Sequence, residues 1–300
     1  MSTLAFYTRP GIMTSAGLHA PLLAGLPGDV AGLAAVAQGL LIHEFIAPAY
    51  GVTLSEQDRG TVHIRPAEGL LGQIVARDAR ALTAARLPAE RLATNCRGFT
   101  VLMVALLRAQ GTPARARCGF GGYFTEGLFE DHWVCEYWHA GQQRWVLVDA
   151  QIDGRQRELF SIDFDATDVP RDQFLIAGDA WALCRSGAAD PGKFGLSTIG
   201  EAGDWWIAGN LMRDAAALGN LELLPWDCWG AMPEADEAIG DARRALFDRL
   251  AALTRAPDSE SAALRRLVQD DDRLRVPPVV RNAQRQRDEP VWPVPRPASP

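Results

Sequence analysis

The sequence predicts an α+β fold in which a helix that begins with a cysteine packs on an antiparallel sheet. Three patterns indicate this. Apolar residues repeat at helical spacing over 99–107. Small or aromatic residues alternate with arginine or glycine over 114–120, which is the period of a half-buried strand. Two runs rich in aromatic and β-branched residues, 132–138 and 144–149, flank the turn-like segment 139–143, as in a β-hairpin.

The helix is predicted to begin at Cys96, because Asn95 is a capping residue type. It should run to about Gln110, since Gly111 suits a left-handed helix end and Pro113 prevents continuation. Backbone N–H groups in the first turn have no partner within a helix. They can stabilise a thiolate at Cys96 and can hold an oxyanion during acyl transfer.

The hairpin places a histidine near an aspartate. With the turn centred between Ala140 and Gly141, His132 lies directly opposite Asp149, and their Cβ atoms are about 5 Å apart. The carboxylate could then accept a hydrogen bond from one imidazole nitrogen and leave the other for the thiol of Cys96. A slip of one residue would break this pairing.

These elements resemble the transglutaminase-like superfamily, a branch of the papain-like cysteine enzymes that includes transglutaminases, peptide N-glycanases and many bacterial proteins. The matching elements are the cysteine at a helix start and the segments LLRAQGTPARARCGF, DHWVCEYW and RWVLVDAQ. They cover roughly the central fifth of the chain. The resemblance implies a papain-like core with extra N- and C-terminal helices. It also implies Cys96 as nucleophile, His132 as base and Asp149 as the residue that orients the base.

Two positions depart from the family pattern. Thr94 stands where many relatives have glycine, and Ala150-Gln151 stands where they have Pro-Thr. No upstream side chain matches an oxyanion residue, so we assign that role to the Cys96 backbone N–H as a hypothesis. The further candidates for contacts with the substrate or the oxyanion are Asn95, Gln151 and Trp133.

The other cysteines and histidines favour structural roles. Strand geometry points His132 and Cys135 to opposite faces, and no CxxC motif occurs, so we expect no metal site and no cofactor. Cys118 and Cys135 are predicted core residues. His43, within the apolar run 39–46, is predicted to be a core or boundary histidine.

Composition favours a cytoplasmic enzyme of bacterial type. The chain has 300 residues, 48% of them hydrophobic, and an odd count of five cysteines, which argues against a disulfide framework. It lacks a basic segment followed by an apolar leader. The most apolar stretch, 30–50, is predicted to be a buried helix and no membrane span. A net charge of −7 with very few lysines argues against a nucleic-acid partner.

Four segments are predicted along the chain. A helical region over 1–90 packs on the core, and the core with an aromatic extension occupies 91–230. A helical segment over 231–275 precedes a proline-rich tail over 276–300, expected to be extended on the surface or disordered. Further helices are predicted over 30–50, 67–85, 171–187, 205–218, 236–254 and 262–268, with a loop or short strand over 51–64.

Five of the nine tryptophans lie between residues 153 and 230, where they can form core or one wall of a cleft. The turn-rich cluster PWDCWG, 225–230, could approach the site. The predicted function is cysteine-dependent transfer or hydrolysis of an acyl group from an amide or thioester, with a small-molecule, peptide or acyl-carrier substrate. The alternatives are a non-catalytic module that binds a peptide or protein and a carrier-protein-dependent amide synthase. The sequence leaves the oligomeric state open.

Overall fold

The computed structural model describes residues 2–235 and 237–292 and has a mixed α+β architecture. Within these residues the α-helices are α1 (Thr3–Thr8), α2 (Val30–Leu40), α3 (Glu56–Thr61), α4 (Ala67–Arg77), α5 (Cys96–Ala109), α6 (Gly154–Leu159), α7 (Ala177–Arg185), α8 (Asp204–Leu218), α9 (Asp241–Arg255) and α10 (Ser261–Asp270). The β-strands are β1 (Leu41–His43), β2 (Leu92–Thr94), β3 (Ala114–Gly121), β4 (Phe129–His139), β5 (Arg144–Val148), β6 (Phe174–Ile176), β7 (Phe194–Leu196), β8 (Glu201–Ala202), β9 (Asp227–Cys228), β10 (Val279–Asn282) and β11 (Arg287–Pro290). The predicted α+β class is confirmed.

A six-stranded sheet lies at the centre of the described part. Its order is β6-β3-β4-β7-β8, and β5 also pairs with β4. The pairings are antiparallel except for β4 with β7. On the edge of β4 that faces away from β3, β7 pairs with residues 129–130 and β5 with residues 135–139. This edge is therefore interrupted at the point where His132 lies.

Helix α5 covers one face of the sheet and begins at Cys96, as predicted. The Asn95 side-chain oxygen accepts a hydrogen bond from Gly98 N at 3.1 Å and caps the helix. The helix ends at Ala109, and Gly111 follows in the left-handed region with a φ of 77°. All α5 residues before Ala109 are buried, and the helix packs on β3 and β4. Cys96 is therefore fixed against the central sheet.

The half-buried character predicted for β3 is wrong, because all eight of its residues are buried. Its small residues face the layer that contains α5, whereas Arg115 and Arg117 face a second layer of helices that includes α7 and α8. One acidic partner of Arg117 is Asp214, 97 residues further along the chain. The local periodicity of β3 cannot show that helices so far along the sequence cover its second face.

Buried ion pairs join the second layer to the sheet. Arg117 donates to both carboxylate oxygens of Asp214, at 3.0 and 2.9 Å. Glu136 on β4 accepts from Arg115 at 2.6 Å and from Arg117 at 3.3 Å. Burial alone would raise the pKa of Glu136, but the charges of Arg115 and Arg117 outweigh it and hold the pKa well below its usual range. The arginines of β3 are therefore neutralised within the protein.

The β4–β5 hairpin is present, but the predicted register is wrong by two residues. Cys135 pairs with Val148, so Asp149 follows the end of β5 and is not directly opposite His132. Side chains alternate between faces with a period of two, and a shift of two keeps each on its predicted face. His132 and Asp149 still meet, because their side chains reach diagonally across the strands.

The single helix predicted over 30–50 is also wrong. Helix α2 ends at Leu40, and β1 then pairs in parallel with β2. Apolar periodicity does not distinguish a short buried strand from a buried helix, which explains the error. The pairing has a functional consequence, since it sets His43 opposite Thr94, two residues before Cys96.

Several other boundaries differ from the prediction. The helix predicted over 67–85 ends at Arg77, and the segment 51–64 contains α3. The helix predicted over 171–187 is shorter, because Phe174–Ile176 pairs with β3 as strand β6. The backbone groups of this short stretch bond to the sheet before helix α7 begins.

The later helices agree better with the sequence. Helices over 205–218 and 262–268 are confirmed as α8 and α10, and that predicted over 236–254 begins at Asp241. Asp236 itself lies outside the described residues. None of the helices found in residues 2–235 and 237–292 has the length and apolar character needed to cross a membrane.

The first part of the proline-rich segment forms strands that pair with the rest of the protein, contrary to the prediction. Strands β10 and β11 form a hairpin that pairs with β9, and Val280 and Val291 are buried. The rest of the predicted tail, 293–300, lies outside the described residues. The division of the chain into four segments stays a prediction.

Replacing Asp214 with asparagine should lower the free energy of unfolding by about 3–5 kcal/mol, because Arg117 would keep a buried charge without its counter-ion. Urea unfolding at pH 7 measures this. Asp168→Asn is the matched control, since Asp168 pairs with Arg144 at a site where both side chains are 45% exposed. The control should change stability little. Equal losses in both variants would contradict a structural role for the buried pair.

Candidate active site

Asp149 holds His132 at the centre of the site. Its Oδ2 accepts hydrogen bonds from His132 Nε2 and from the Tyr123 hydroxyl, both at 2.7 Å. Its Oδ1 accepts from the backbone N–H of Gln151 at 3.0 Å. The His132 and Asp149 side chains are almost fully buried. Because the carboxylate acts as acceptor, Nε2 carries the proton and Nδ1 is left to accept a proton from a thiol.

Aromatic rings fix the plane of the His132 imidazole. The Phe124 ring centroid lies 4.8 Å away, and those of Tyr123 and Phe174 lie at 6.0 and 6.3 Å. All three meet the imidazole edge to face. With the hydrogen bond to Asp149, this packing leaves His132 one orientation.

Cys96 occupies the first position of α5 and is 6% exposed. Burial raises the pKa of its thiol well above the ordinary value, and the carboxylates of Asp131 and Asp149 raise it further. The backbone N–H groups of Trp133 and Arg97 donate toward the sulfur and lower the pKa, but they do not offset burial. The backbone N–H groups thus act in the predicted direction, but burial outweighs them and the pKa of the Cys96 thiol stays above its ordinary value.

A cavity of about 300 Å³ is lined by both Cys96 and His132. Its walls are mostly apolar and include five aromatic side chains: Phe45, Phe124, Phe160, Trp206 and Trp226. Its polar lining includes the carboxylates of Glu130 and Asp131. A reacting carbonyl could therefore enter a largely apolar space that both Cys96 and His132 line.

The tryptophan-rich region supplies part of this wall. Trp206 and Trp226 line the cavity, and Pro225 of the PWDCWG cluster lies beside them. Trp133, a predicted substrate or oxyanion candidate, does not line it. Its ring is fully buried in the core, and its backbone N–H donates toward the sulfur of Cys96.

The other two oxyanion candidates each use a side-chain N–H in a hydrogen bond within the protein. Asn95 Oδ1 accepts from Gly98 N at 3.1 Å, and its Nδ2 donates to the Val62 carbonyl at 3.0 Å. Gln151 lines the cavity, but its Nε2 donates to Gln156 Oε1 at 3.0 Å. Each amide nitrogen therefore has one of its two N–H groups engaged, and Gln151 and Asn95 stay candidates for contacts with the substrate.

His43 is a site residue that sequence reasoning missed. It is 8% exposed, lines the cavity and accepts a hydrogen bond at Nδ1 from Phe45 N at 3.2 Å. Burial lowers the pKa of His43 to about 3, and the nearby His132 contributes to this shift. The imidazole is therefore neutral and carries its proton on Nε2. Only the parallel pairing of β1 with β2 brings it to the site, and the apolar run around it gave no such signal.

Tyr123 and Asp131 were missed as well. Tyr123 follows the glycines that end β3 and lies 26 residues from the carboxylate it contacts. Asp131 precedes His132, and its Oδ2 accepts from Trp206 Nε1 at 2.7 Å. A signal existed for Asp131, because it adjoins the predicted base.

The remaining cysteines are away from this chemistry. Cys118 and Cys135 are buried in the core, as predicted, and Cys184 and Cys228 are partly exposed. In the part of the chain that the structure describes, no three His, Cys, Asp or Glu side chains are grouped so that they could hold a metal ion.

A comparison with known protein families finds a match in the central part of the chain. The family model of the transglutaminase-like superfamily matches residues 75–150, a span that contains Cys96, His132 and Asp149. No curated protein matches the chain. A solved structure of a Cytophaga hutchinsonii protein, proposed to be a cysteine protease, is 15% identical and covers 58% of this chain, with a TM-score of 0.33. The chain spans 45% of that protein, and a TM-score this low carries no weight. Residues 75–150 of this chain therefore match the transglutaminase-like superfamily.

Proposed function

We propose that the protein is a cysteine-dependent enzyme that transfers or hydrolyses an acyl group, with Cys96 as nucleophile, His132 as base and Asp149 as the orienting residue. The observation that carries this is the 2.7 Å hydrogen bond between His132 and Asp149, made beside a cavity that Cys96 also lines. The superfamily typically consists of cysteine-dependent enzymes, which agrees with the proposal.

The first step forms a thioester. Cys96 Sγ attacks the carbonyl carbon of an amide or thioester, while its proton passes to His132 Nδ1. The bond to the leaving nitrogen or sulfur then breaks, and His132 returns the proton to that atom. Because burial raises the pKa of the Cys96 thiol, proton transfer accompanies attack in this proposal, and Asp149 stabilises the imidazolium that forms.

His43 supplies a donor for the oxyanion in this proposal. Its Nδ1 is occupied by the Phe45 N–H, so its Nε2–H is left for a ligand in the cavity. The Cys96 backbone N–H, at the start of α5, has no acceptor within the helix. A preorganised donor of this kind contributes most where charge develops in a dry site.

Water or an amine completes the reaction. Hydrolysis of the thioester gives an amidase or peptidase, and attack by an amine gives a transferase. A thioester donor linked to a carrier protein would make the protein an amide synthase. The mostly apolar cavity favours slow attack by water, which supports transfer as the outcome.

One observation favours the second candidate, a non-catalytic module that binds a peptide or protein partner. The pKa of Cys96 is raised by burial and by two carboxylates, whereas many cysteine nucleophiles have a lowered pKa. A module of this kind needs no activated thiol, so the two proposals differ in whether Cys96 reacts.

Cys96 should be acetylated by p-nitrophenyl acetate, and peptide mass spectrometry should find the acetyl group on the Cys96 peptide. Cys96→Ala should abolish this product. His132→Ala should slow release of p-nitrophenolate by about 10²–10⁴-fold, because a protonated thiol needs a base. Stopped-flow absorbance measures the rate.

Cys184→Ala is the control, since Cys184 is partly exposed and does not line the cavity. In this variant p-nitrophenyl acetate should acetylate Cys96 at the same rate as in the native protein. If Cys96 reacts equally fast in His132→Ala and in the native protein, or does not react at all, the result supports the non-catalytic binding module instead. Decay of acetyl-Cys96 with and without an added amine then separates transferase from hydrolase, and N-acetylcysteamine thioesters test the carrier-dependent route.

His43→Ala should slow acylation of Cys96 by about 10²–10³-fold, the usual loss when an oxyanion donor is removed. Alkylation by iodoacetamide develops no oxyanion, so its rate should change little. His43→Gln should recover part of the acylation rate, because its amide retains an N–H. Equal loss of acylation and alkylation in His43→Ala would show that His43 only supports the local structure.

A further inference from the structure

We infer that the cavity beside Cys96 binds a substrate with a positively charged head, such as a primary ammonium group, joined to a short apolar segment. The inference takes this cavity as the substrate site and so rests on the proposed function. It goes further by assigning the chemical class of the ligand.

The charged groups of the cavity all have one sign. Glu130 and Asp131 line it, and none of its lining residues is a lysine or arginine. Within the described residues neither carboxylate forms an ion pair. Glu130 accepts from the backbone N–H of Ser197 at 2.9 Å and from its hydroxyl, and Asp131 accepts from Trp206 Nε1. Both carboxylates therefore accept hydrogen bonds from neutral groups, and no cation among the described residues pairs with either of them.

Burial raises the pKa of Asp131, and the positive charge of Arg213 opposes this rise without outweighing it. Its guanidinium donates to Asn210 Oδ1 at 3.1 Å and to the Asp227 carbonyl at 3.2 Å. No ion pair with Asp131 is present in the described part of the chain. The charge of Asp131 is thus left for a ligand.

Gln151 gives independent support, because it presents an acceptor without a partner. It is 2% exposed and lines the cavity, and its Oε1 has no hydrogen-bond partner among the described residues. Neighbouring contacts fix this orientation. Gln156 Nε2 donates to the Gln151 carbonyl at 2.9 Å and to the Tyr50 hydroxyl at 3.2 Å, so Gln156 Oε1 must face the Gln151 side chain.

That oxygen can accept only from Gln151 Nε2, at 3.0 Å, so a flipped Gln151 amide would set two oxygens against each other. Gln151 Oε1 is therefore a buried acceptor that needs a donor from elsewhere. An ammonium group has three donors and no acceptor, which fits two carboxylates and a free carbonyl oxygen better than any anion.

The aromatic walls suit the same ligand. Five aromatic rings line the cavity, and two of them are the indoles of Trp206 and Trp226. A cation within about 6 Å of an indole face is attracted by the ring quadrupole. Apolar walls also favour a hydrocarbon segment between the charged head and the reacting carbonyl.

The donors of the cavity serve the other end of the substrate. Trp226 Nε1 is buried without a hydrogen-bond partner in the described residues, and His43 Nε2–H is also available. They match a carbonyl oxygen or an oxyanion. Donors for the acyl group and acceptors for a cationic head thus occur together beside one nucleophile.

Binding of a cation would also change the nucleophile. Asp131 is the charged group that raises the pKa of Cys96 most after burial itself. A bound ammonium offsets that negative field and makes the thiolate easier to form. A carboxylate-bearing ligand would do the opposite, so the cavity selects by charge in both binding and reactivity.

Methanethiosulfonate reagents test this without knowledge of the substrate. The ethylammonium reagent should label Cys96 about tenfold faster than the ethylsulfonate reagent, after each rate is divided by its rate with glutathione. Peptide mass spectrometry assigns the label. Asp131→Asn should bring the corrected ratio close to one, while the control Asp168→Asn, at an exposed ion pair, should leave it unchanged.

A non-covalent readout keeps the inference separate from the proposed function. In Cys96→Ala, quenching of tryptophan fluorescence should report binding of phenethylamine in preference to 3-phenylpropionate, and Asp131→Asn should remove that preference. If phenethylamine binds selectively but Cys96 in the native chain cannot be acylated, the enzyme proposal is overturned and the cation site is still supported. Acylation of Cys96 with no preference for the amine in either assay would overturn the cation site alone.

Discussion

The hydrogen bond between His132 and Asp149 is the interaction on which the site depends. It joins the middle of β4 to the residue after β5, and Tyr123 closes it from a third segment. Helix α5 packs on the same sheet and positions Cys96 at its first residue. A buried carboxylate is costly unless it is hydrogen-bonded. Asp149 is satisfied only in this arrangement, so folding and assembly of the site require the same contacts.

The site was predictable where its signals are local. The cap at Asn95 and the apolar period of α5 place Cys96, and the aromatic runs of the hairpin place His132 and Asp149. The error in register did not affect the predicted contact between His132 and Asp149, because a shift of two residues leaves each side chain on the same face of the sheet. His43 was out of reach, since a parallel pairing between distant segments brings it in. The covered second face of β3 was missed for the same reason.

Two influences on Cys96 oppose each other. The N–H groups near the sulfur favour the thiolate, but burial and the adjacent carboxylates favour the thiol more strongly. A sequence shows the first influence, because a helix start can be recognised. It does not show the second, because burial and the approach of Asp131 depend on packing. In the proposed mechanism His132 therefore removes the proton during attack, so its fixed orientation is as important there as the thiol of Cys96.

Strand β4 carries carboxylates in two different settings. Glu136, near its C-terminal end, is neutralised by Arg115, Arg117 and Arg171. Glu130 and Asp131, near its beginning, have no ion pair in the described part of the chain, although the sequence has 30 basic residues. The protein thus neutralises a buried carboxylate of β4 where it supports the fold. Two others line the cavity without a counter-ion in the described residues, and one of them, Asp131, raises the pKa of Cys96. In the inference drawn above, a cationic ligand would offset that effect.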